Sequence, residues 1–320
     1  MKKIWALLKA VIDEFGKDKA TVWAAALAYY TIFSLAPLLL IAISVAGLIF
    51  GPQAARGQVM DQVSQVIGPQ AAQGVQSLLA GVSRPGTGLL AAGIGFVVLL
   101  WGASSLSLSL KKSLHFMWDI TPPGGGILGM LKSRFTSVWL VLGIGFVLLI
   151  SMAVSATVAG TGRDIGQAIG VPPILLNVVD WVLSLVIFTL AFGLIFRYLP
   201  DTRVQWRDVL IGAGITAVLF TIGKVALGYY LGRSAVASGY GAAGSLVVLL
   251  LWIYYSAQIL FLGAEFTQVY SQRFGSGIRP EKGARRLEEG EKRPRDEEDR
   301  ERQDGARPRR RPHLAEEEKE

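Results

Sequence analysis

The sequence predicts an all-α, polytopic integral membrane protein with six transmembrane helices and both termini on the cytoplasmic side. Three observations carry that expectation: six apolar stretches of bilayer-spanning length, a body depleted of charge, and lysines and arginines gathered in alternate connections. A helix rising 1.5 Å per residue needs about 20 apolar residues to cross a hydrocarbon core about 30 Å thick. The qualifying stretches are 23–50, 88–110, 136–159, 176–198, 208–231 and 244–268. Each is continuously apolar rather than alternating, which argues against barrel strands. Charged residues make up 18% of the chain, where soluble domains carry about 25%. Of the 24 acidic residues, 14 lie beyond Tyr270, so the body before it has too little charge for a soluble surface.

Orientation follows from the basic residues. With the N-terminus inside, cytoplasmic segments hold Lys2, Lys3, Lys9, Lys17, Lys19, Lys111, Lys112, Lys132, Arg134, Arg197, Arg203 and Arg207, whereas the outer loops hold Arg56, Arg84, Arg163 and Arg233. Twelve against four, before the tail is counted, favours both termini inside.

The elements follow in chain order. Residues 1–22 are too polar for a secretory signal core, yet Ile4, Leu7, Leu8, Val11, Ile12 and Phe15 recur at helical spacing between lysines. They predict an amphipathic helix, either lying at the membrane interface or packed on the inner end of the bundle. In the first span, Pro37 lacks a helical donor and crowds the carbonyl of Phe33, which predicts a kink. Tyr30, Ser34, Pro37 and Ser44 share one face of that span.

The outer loop 51–87 carries a near-repeat. Gly51-Pro52-Gln53-Ala54-Ala55-Arg56-Gly57 is echoed by Gly68-Pro69-Gln70-Ala71-Ala72-Gln73-Gly74. Each copy opens with a proline suited to a first helical turn and continues with apolar residues at helical spacing. Two short helices are expected there, as a structural cap or as a lid. Beyond about Gly275, a run of arginine, glutamate and aspartate with few apolar residues predicts a disordered cytoplasmic tail over 275–320. Arg309, Arg310 and Arg311 in that tail invite anionic lipid, but a solvated tail is the simpler expectation.

Polar residues inside spans are expensive and usually face protein or a water-filled path. Tyr254, Gln258 and Glu265 fall on one face of the sixth span, and Asn177, Asp180, Ser184 and Tyr198 share a face of the fourth. Lys224 lies deep in the fifth, on a face with the small residues Ala213, Ala217, Thr221 and Gly228. Depth matches Lys224 with Asp180 and Arg197 with Glu265. The expected intramembrane polar path is therefore Lys224, Asp180, Arg197, Glu265, Gln258, Tyr254, Tyr30 and Ser34, with Pro37 as its kink. The competing expectation is that Lys224 and Glu265 snorkel to the interface.

No enzyme chemistry is expected. The chain has no cysteine and only two histidines, His115 and His313, so thiolate and histidine-rich metal sites are unavailable. Gly239-Tyr240-Gly241-Ala242-Ala243-Gly244 spells a dinucleotide fingerprint but opens a membrane helix with no strand before it. No catalytic, cofactor or metal residues are assigned.

Several segments resemble the YihY/BrkB family of bacterial inner-membrane proteins. They are Ala25-Ala26-Leu27-Ala28-Tyr29-Tyr30-Thr31-Ile32-Phe33-Ser34-Leu35-Ala36-Pro37, Arg197-Tyr198-Leu199-Pro200-Asp201, the Trp206-Arg207-Asp208 turn, Leu251-Trp252-Ile253-Tyr254-Tyr255-Ser256-Ala257-Gln258, and Gly263-Ala264-Glu265-Phe266. The resemblance covers about residues 5–272 and implies a six-helix protein of the bacterial inner membrane. Family members have carried the label ribonuclease BN, and one branch is linked to virulence and serum resistance. Metal-assisted phosphodiester cleavage needs clustered carboxylates or histidines at an aqueous face, and this chain offers isolated ones. The leading expectation is a transporter or lipid-handling protein passing a headgroup or small amphiphile along the polar seam. The rival is a non-catalytic scaffold for envelope assembly. Expected partners are membrane lipids, then further copies of the chain or envelope proteins; nucleic acid is not expected.

Overall fold

The computed structural model describes residues 2–82, 105–121, 173–233, 240, 243–281 and 283–286. The expected third span, most of the second, and the tail beyond 286 lie outside the described residues, as do the side chains of Pro37, Ser44, Asn177 and Asp180. The described helices are α1 (Lys2–Lys17), α2 (Ala20–Phe50), α3 (Pro52–Ile67), α4 (Pro69–Val82), α5 (described over 105–117), α6 (Pro173–Tyr198), α7 (Trp206–Arg233) and α8 (Gly244–Phe274). Among the described residues, three helical stretches are long and apolar enough to cross a membrane: Trp181–Tyr198, Trp206–Leu231 and Gly244–Phe274. In α2 the helix runs unbroken across Pro37.

The near-repeat folds as its spelling predicts. Pro52 and Pro69 occupy the first turns of α3 and α4, where a missing N–H leaves nothing unpaired. Gly51 and Gly68 precede them at φ of 82° and 85°, a conformation that side-chain-bearing residues rarely take. α3 packs against α2, and α4 against α8. A Cβ on Gly74 of α4 would come within 2.6 Å of the Ser245 carbonyl oxygen, so glycine is what lets α4 sit on the start of α8.

α8 is the axial helix. From Ala257 to Ser271 nearly every residue is buried, as expected of a helix enclosed by neighbours. Its tightest partner is α7. Gly212 of α7 faces Thr267 of α8, and Gly263 of α8 faces Thr216 of α7. One turn forward on α7 matches one turn back on α8, the register of antiparallel helices. A Cβ on Gly212 would lie 2.8 Å from Thr267 Cβ, and one on Gly263 would lie 2.8 Å from Thr216 Cβ. Small residues therefore set the close approach, the device that replaces the hydrophobic effect between membrane helices. Both threonine hydroxyls donate back to the glycine carbonyls one turn earlier, Thr216 to Gly212 and Thr267 to Gly263, each at 2.7 Å.

Four two-residue strands accompany the helices, and the described chain continues past Gly275. β1 (Ile120–Thr121) pairs antiparallel with β4 (Arg285–Arg286), and β2 (Thr202–Arg203) with β3 (Arg279–Pro280). The chain leaving α8 thus clasps the turn after α5 and the α6–α7 turn. Burial of Ile278 and the backbone bond from Glu281 N to Asp201 O supply what the charged sequence alone does not advertise. α5, described from residue 105, runs past the expected end at 110 to residue 117, placing Lys111 and Lys112 inside it.

α1 satisfies part of each reading. Leu7 and Val11 are buried against Phe266 and Val269 of α8, while Ile4, Trp5, Leu8 and Ile12 stay exposed.

Candidate functional site

Two features stand out: an apolar cavity amid the helices and a polar cluster at the clasped end. The cavity has a volume of about 290 Å³ and is partly open. Its walls are Leu27, Leu35 and Leu39 of α2, Val63 and Ile67 of α3, Phe192 of α6, Phe220 of α7, and Leu249, Trp252 and Ile253 of α8. Thr31 and Ser256 also line it, but their hydroxyls donate to the Leu27 and Trp252 carbonyls one turn back. Such back-bonding leaves little polarity for a ligand. None of the residues expected to form the polar path lines this cavity.

A chain of rings forms one wall. Phe188 meets Phe220 edge-on at 5.0 Å between centroids, Phe192 meets it at 5.6 Å, and Phe220 meets Trp252 at 5.8 Å. Lys224, one turn along α7 from Phe220, is half-buried with its ammonium 6.0 Å over the Phe188 ring. A cation over an aromatic face is stabilised by the ring quadrupole. Lys224 therefore has an aromatic neighbour at membrane depth; its expected match with Asp180 lies outside the described side chains.

The expected pairing of Arg197 with Glu265 is not formed. Arg197 donates to the Val204 carbonyl and lies 6.0 Å over the Trp206 ring. Both contacts come from the α6–α7 turn, so a local partner outcompetes a distant one. Glu265 is fully buried, and neither carboxylate oxygen accepts a hydrogen bond from a donor. Among the remaining candidates, Ser34 is buried and donates to Tyr30 O and Thr31 O, while Tyr30 is exposed and Gln258 and Tyr254 are half-buried. Of the eight, Asp180 lies outside the described side chains, and Arg197 and Glu265 do not meet.

The clasped end holds what sequence reasoning missed. Asp201 accepts from Lys111 Nζ at 2.9 Å, and His115 Nε2 lies 3.3 Å from its second oxygen. The same nitrogen accepts from the Asp201 backbone N–H at 3.1 Å, so its contact with the carboxylate becomes an ion pair only when the imidazole is protonated. Burial pushes the Asp201 carboxyl up, but the hydrogen bonds and charges of His115 and Lys111 outweigh it and hold the group below its ordinary range. Asp208, buried at the start of α7, accepts on one oxygen from Ser271 Oγ at 2.9 Å and from the Ser276 N–H at 3.0 Å. Gln268 donates to Asp119 at 2.8 Å, and the Trp118 indole donates to the Ala264 carbonyl at 3.0 Å. The available signal was the Asp-bearing turns, Pro200-Asp201 and Arg207-Asp208, whose partners lie 60 to 90 positions away, beyond any local pattern. Among the described residues, no three histidine, aspartate or glutamate side chains gather to hold a metal ion.

Comparison with known proteins fits these features to a family of membrane proteins. The family described as Virulence factor BrkB matches residues 11–288. The chain is 28% identical over 263 residues to a UPF0761 membrane protein of Saccharophagus degradans, covering 81% of this chain and 58% of that one. It is 27% identical over 274 residues to one of Ralstonia nicotianae, covering 82% and 58%, and 28% identical over 256 residues to one of Pseudomonas aeruginosa, covering 78% and 59%. The chain therefore spans less than two thirds of the length of these relatives. No solved structure matches. With apolar helices of spanning length and a match across most of its residues, this chain is a membrane protein and belongs to the BrkB family.

Proposed function

We propose that the protein handles a lipid or single-chain amphiphile within the bacterial inner membrane, holding its hydrocarbon in the cavity between α2, α6, α7 and α8. The observation that carries this reading is the cavity itself: about 290 Å³, walled by leucine and aromatic side chains and partly open. That volume is at the lower end of small-molecule pockets, which run about 300–1,000 Å³. Lys224 supports an anionic headgroup, because its ammonium reaches the ring system that continues into the cavity wall. In this reading the hydrocarbon lies in an apolar slot with Lys224 beside its ring wall. Transport and non-catalytic retention of the amphiphile remain alternative uses of this slot, and no bond-making or bond-breaking step is assigned.

The test is lipid analysis of the protein extracted in native nanodiscs, set against the surrounding membrane. One lipid class is expected to be enriched several-fold in the wild type and to fall to bulk level in Ser256→Leu, which fills the cavity. Lys224→Ala should keep the chain-length preference and lose the preference for an anionic headgroup. A bulk-like profile in the wild type rejects the reading and leaves the scaffold as the better account.

A further inference from the structure

We propose that α1 docks on the anionic lipid headgroups of the leaflet at the clasped end, with Ile4, Trp5, Leu8 and Ile12 in the lipid and Lys2, Lys3 and Lys9 on the phosphates. α1 is held edgewise on the bundle. Leu7 and Val11 are buried against Phe266 and Val269 of α8, and Arg273 near the end of α8 donates to the Ala6 carbonyl at 3.1 Å. The rest of its apolar face is uncovered: Ile4 and Ile12 are each 65% exposed, and Trp5 is 73% exposed.

The surrounding helices set the depth of this face. α8 has 31 residues, about 46 Å at 1.5 Å each, against a hydrocarbon core about 30 Å thick. Even at a common tilt of about 20° its ends extend into the headgroup layers. Gly212 of α7 faces Thr267 of the antiparallel α8. Trp206, six residues before the one, is therefore near the level of Arg273, six residues after the other. Trp206 and Tyr198 are exposed and meet edge-on at 5.9 Å, and such rings collect where a membrane meets water. Arg273 links that level to Ala6, so the first half of α1 lies at the interface.

Charge then selects the occupant. At about 100° per residue, Ile4, Leu8, Ile12 and Trp5 cover a sector of roughly 100° beside the buried edge. Lys9 and Lys2 follow beyond Trp5, and Lys3 stands on the far side of Leu7, so lysines border the apolar face on both sides. All three are exposed, and the ion pair described on α1, Glu14 with Lys17 at 2.8 Å, uses none of them. Asp13 offsets one of the three charges and leaves two in excess. Lysine stems can lie along apolar surface while their ammonium groups reach outward to phosphate, the arrangement of an interfacial helix. A cationic border at membrane depth matches an anionic leaflet, whereas a second copy docked through the same face would bring like charges together. The cavity wall described above has no α1 residue, so failure here would leave the amphiphile reading untouched.

The chain has no cysteine, so a single spin label can be placed on the full-length protein at Leu8→Cys, with Ala6→Cys on the polar side as reference. Each is read in nanodiscs of phosphatidylcholine alone and of phosphatidylcholine mixed with phosphatidylglycerol, as collision with oxygen against collision with a water-soluble nickel chelate. In the mixed discs the Leu8 label should favour oxygen several-fold over the Ala6 label, and in the neutral discs that contrast should shrink. Lys2→Gln, Lys3→Gln and Lys9→Gln together should remove the difference between the two discs. A Leu8 label as open to nickel as the Ala6 label puts the face in water and overturns the proposal. A label shielded from both reagents means that protein covers the face, a second copy or another partner, and equally overturns it. Equal depth in the two lipids, or a lipid dependence that survives the triple variant, overturns the headgroup recognition.

Discussion

The two halves of α8 are built on different rules. From Gly244 to Leu260 the helix presents Leu249, Trp252, Ile253 and Ala257 to large apolar partners that leave a cavity of about 290 Å³ between them. From Phe261 to Ser271 it is buried nearly all round, glycine against threonine, with Gln268 and Ser271 answered by carboxylates on other elements. Close approach requires small residues whose shapes interlock, and the clasped half has them at Gly212, Thr216, Gly263 and Thr267. Apart from the close approach of Gly74 in α4 to Ser245, the open half meets its neighbours through branched and aromatic chains, which touch before their helices can close. One helix thereby serves as a rigid anchor at one end and as the wall of a slot at the other.

The largest expected effect comes from forcing apart the tight half. Gly212→Leu would drive a side chain into Thr267, whose Cβ already lies 2.8 Å from where a Cβ would be, and should destabilise the fold by about 3 kcal/mol. Loss of folded protein in detergent, read by size-exclusion profile and Tm, checks it. The smaller Gly212→Ala should also destabilise, and adding Thr267→Gly should restore much of the loss by clearing the opposing side chain. Failure of that rescue would mean the α7–α8 seam is not what limits stability. By contrast, Ser256→Leu in the open half should leave stability within about 1 kcal/mol of wild type, because it fills space rather than displacing atoms.

The clasp comes next. Asp201 is held ionised below its ordinary range, so its contribution is complete above the unfolded carboxylate value, near 4, and is lost as pH falls through the lower folded value. Wild-type Tm should therefore decline steeply only on the acid side. Asp201→Asn should lower stability at pH 7 by about 1–3 kcal/mol for the Lys111 charge left unpaired, read as a lower Tm, and should flatten the acid limb. An acid limb as steep in the variant as in wild type would move the titrating group elsewhere.

The contrast also explains what could be read beforehand. The stretches 176–198, 208–231 and 244–268 emerge as α6, α7 and α8, with ends within three residues except that α8 runs six residues further to Phe274, because membrane length is written in continuous apolar runs. The loop helices were legible through Pro52, Pro69 and the glycines before them, which act locally. The clasp was not, because β3 and β4 are two residues each and owe their pairing to the α6–α7 turn and the turn after α5, not to their own propensity. Pairing polar residues by depth also misled: Arg197 had Val204 and Trp206 within ten positions, whereas Glu265 faces α1, an element whose packing face was undecided in the sequence. The cavity had no sequence signal, since it arises from how side chains on six helices, α4 included through Val75, fail to fill a volume.

The smallest expected effect probes the border between slot and membrane. Lys224 over Phe188, half-buried at 6.0 Å, should contribute about 0.5–1 kcal/mol through the cation–ring contact. A double-mutant cycle of Lys224→Met with Phe188→Leu should return a coupling of that size, measured by chemical or thermal unfolding in nanodiscs. The same cycle run with Asp180→Asn separates the two partners open to this lysine. Coupling near zero there, alongside a measurable Phe188 term, would leave Lys224 free of a carboxylate and available to an anionic headgroup, as the slot requires. Coupling above about 1 kcal/mol with Asp180 would instead show the charge already neutralised within the protein, and the headgroup would need another recognition element.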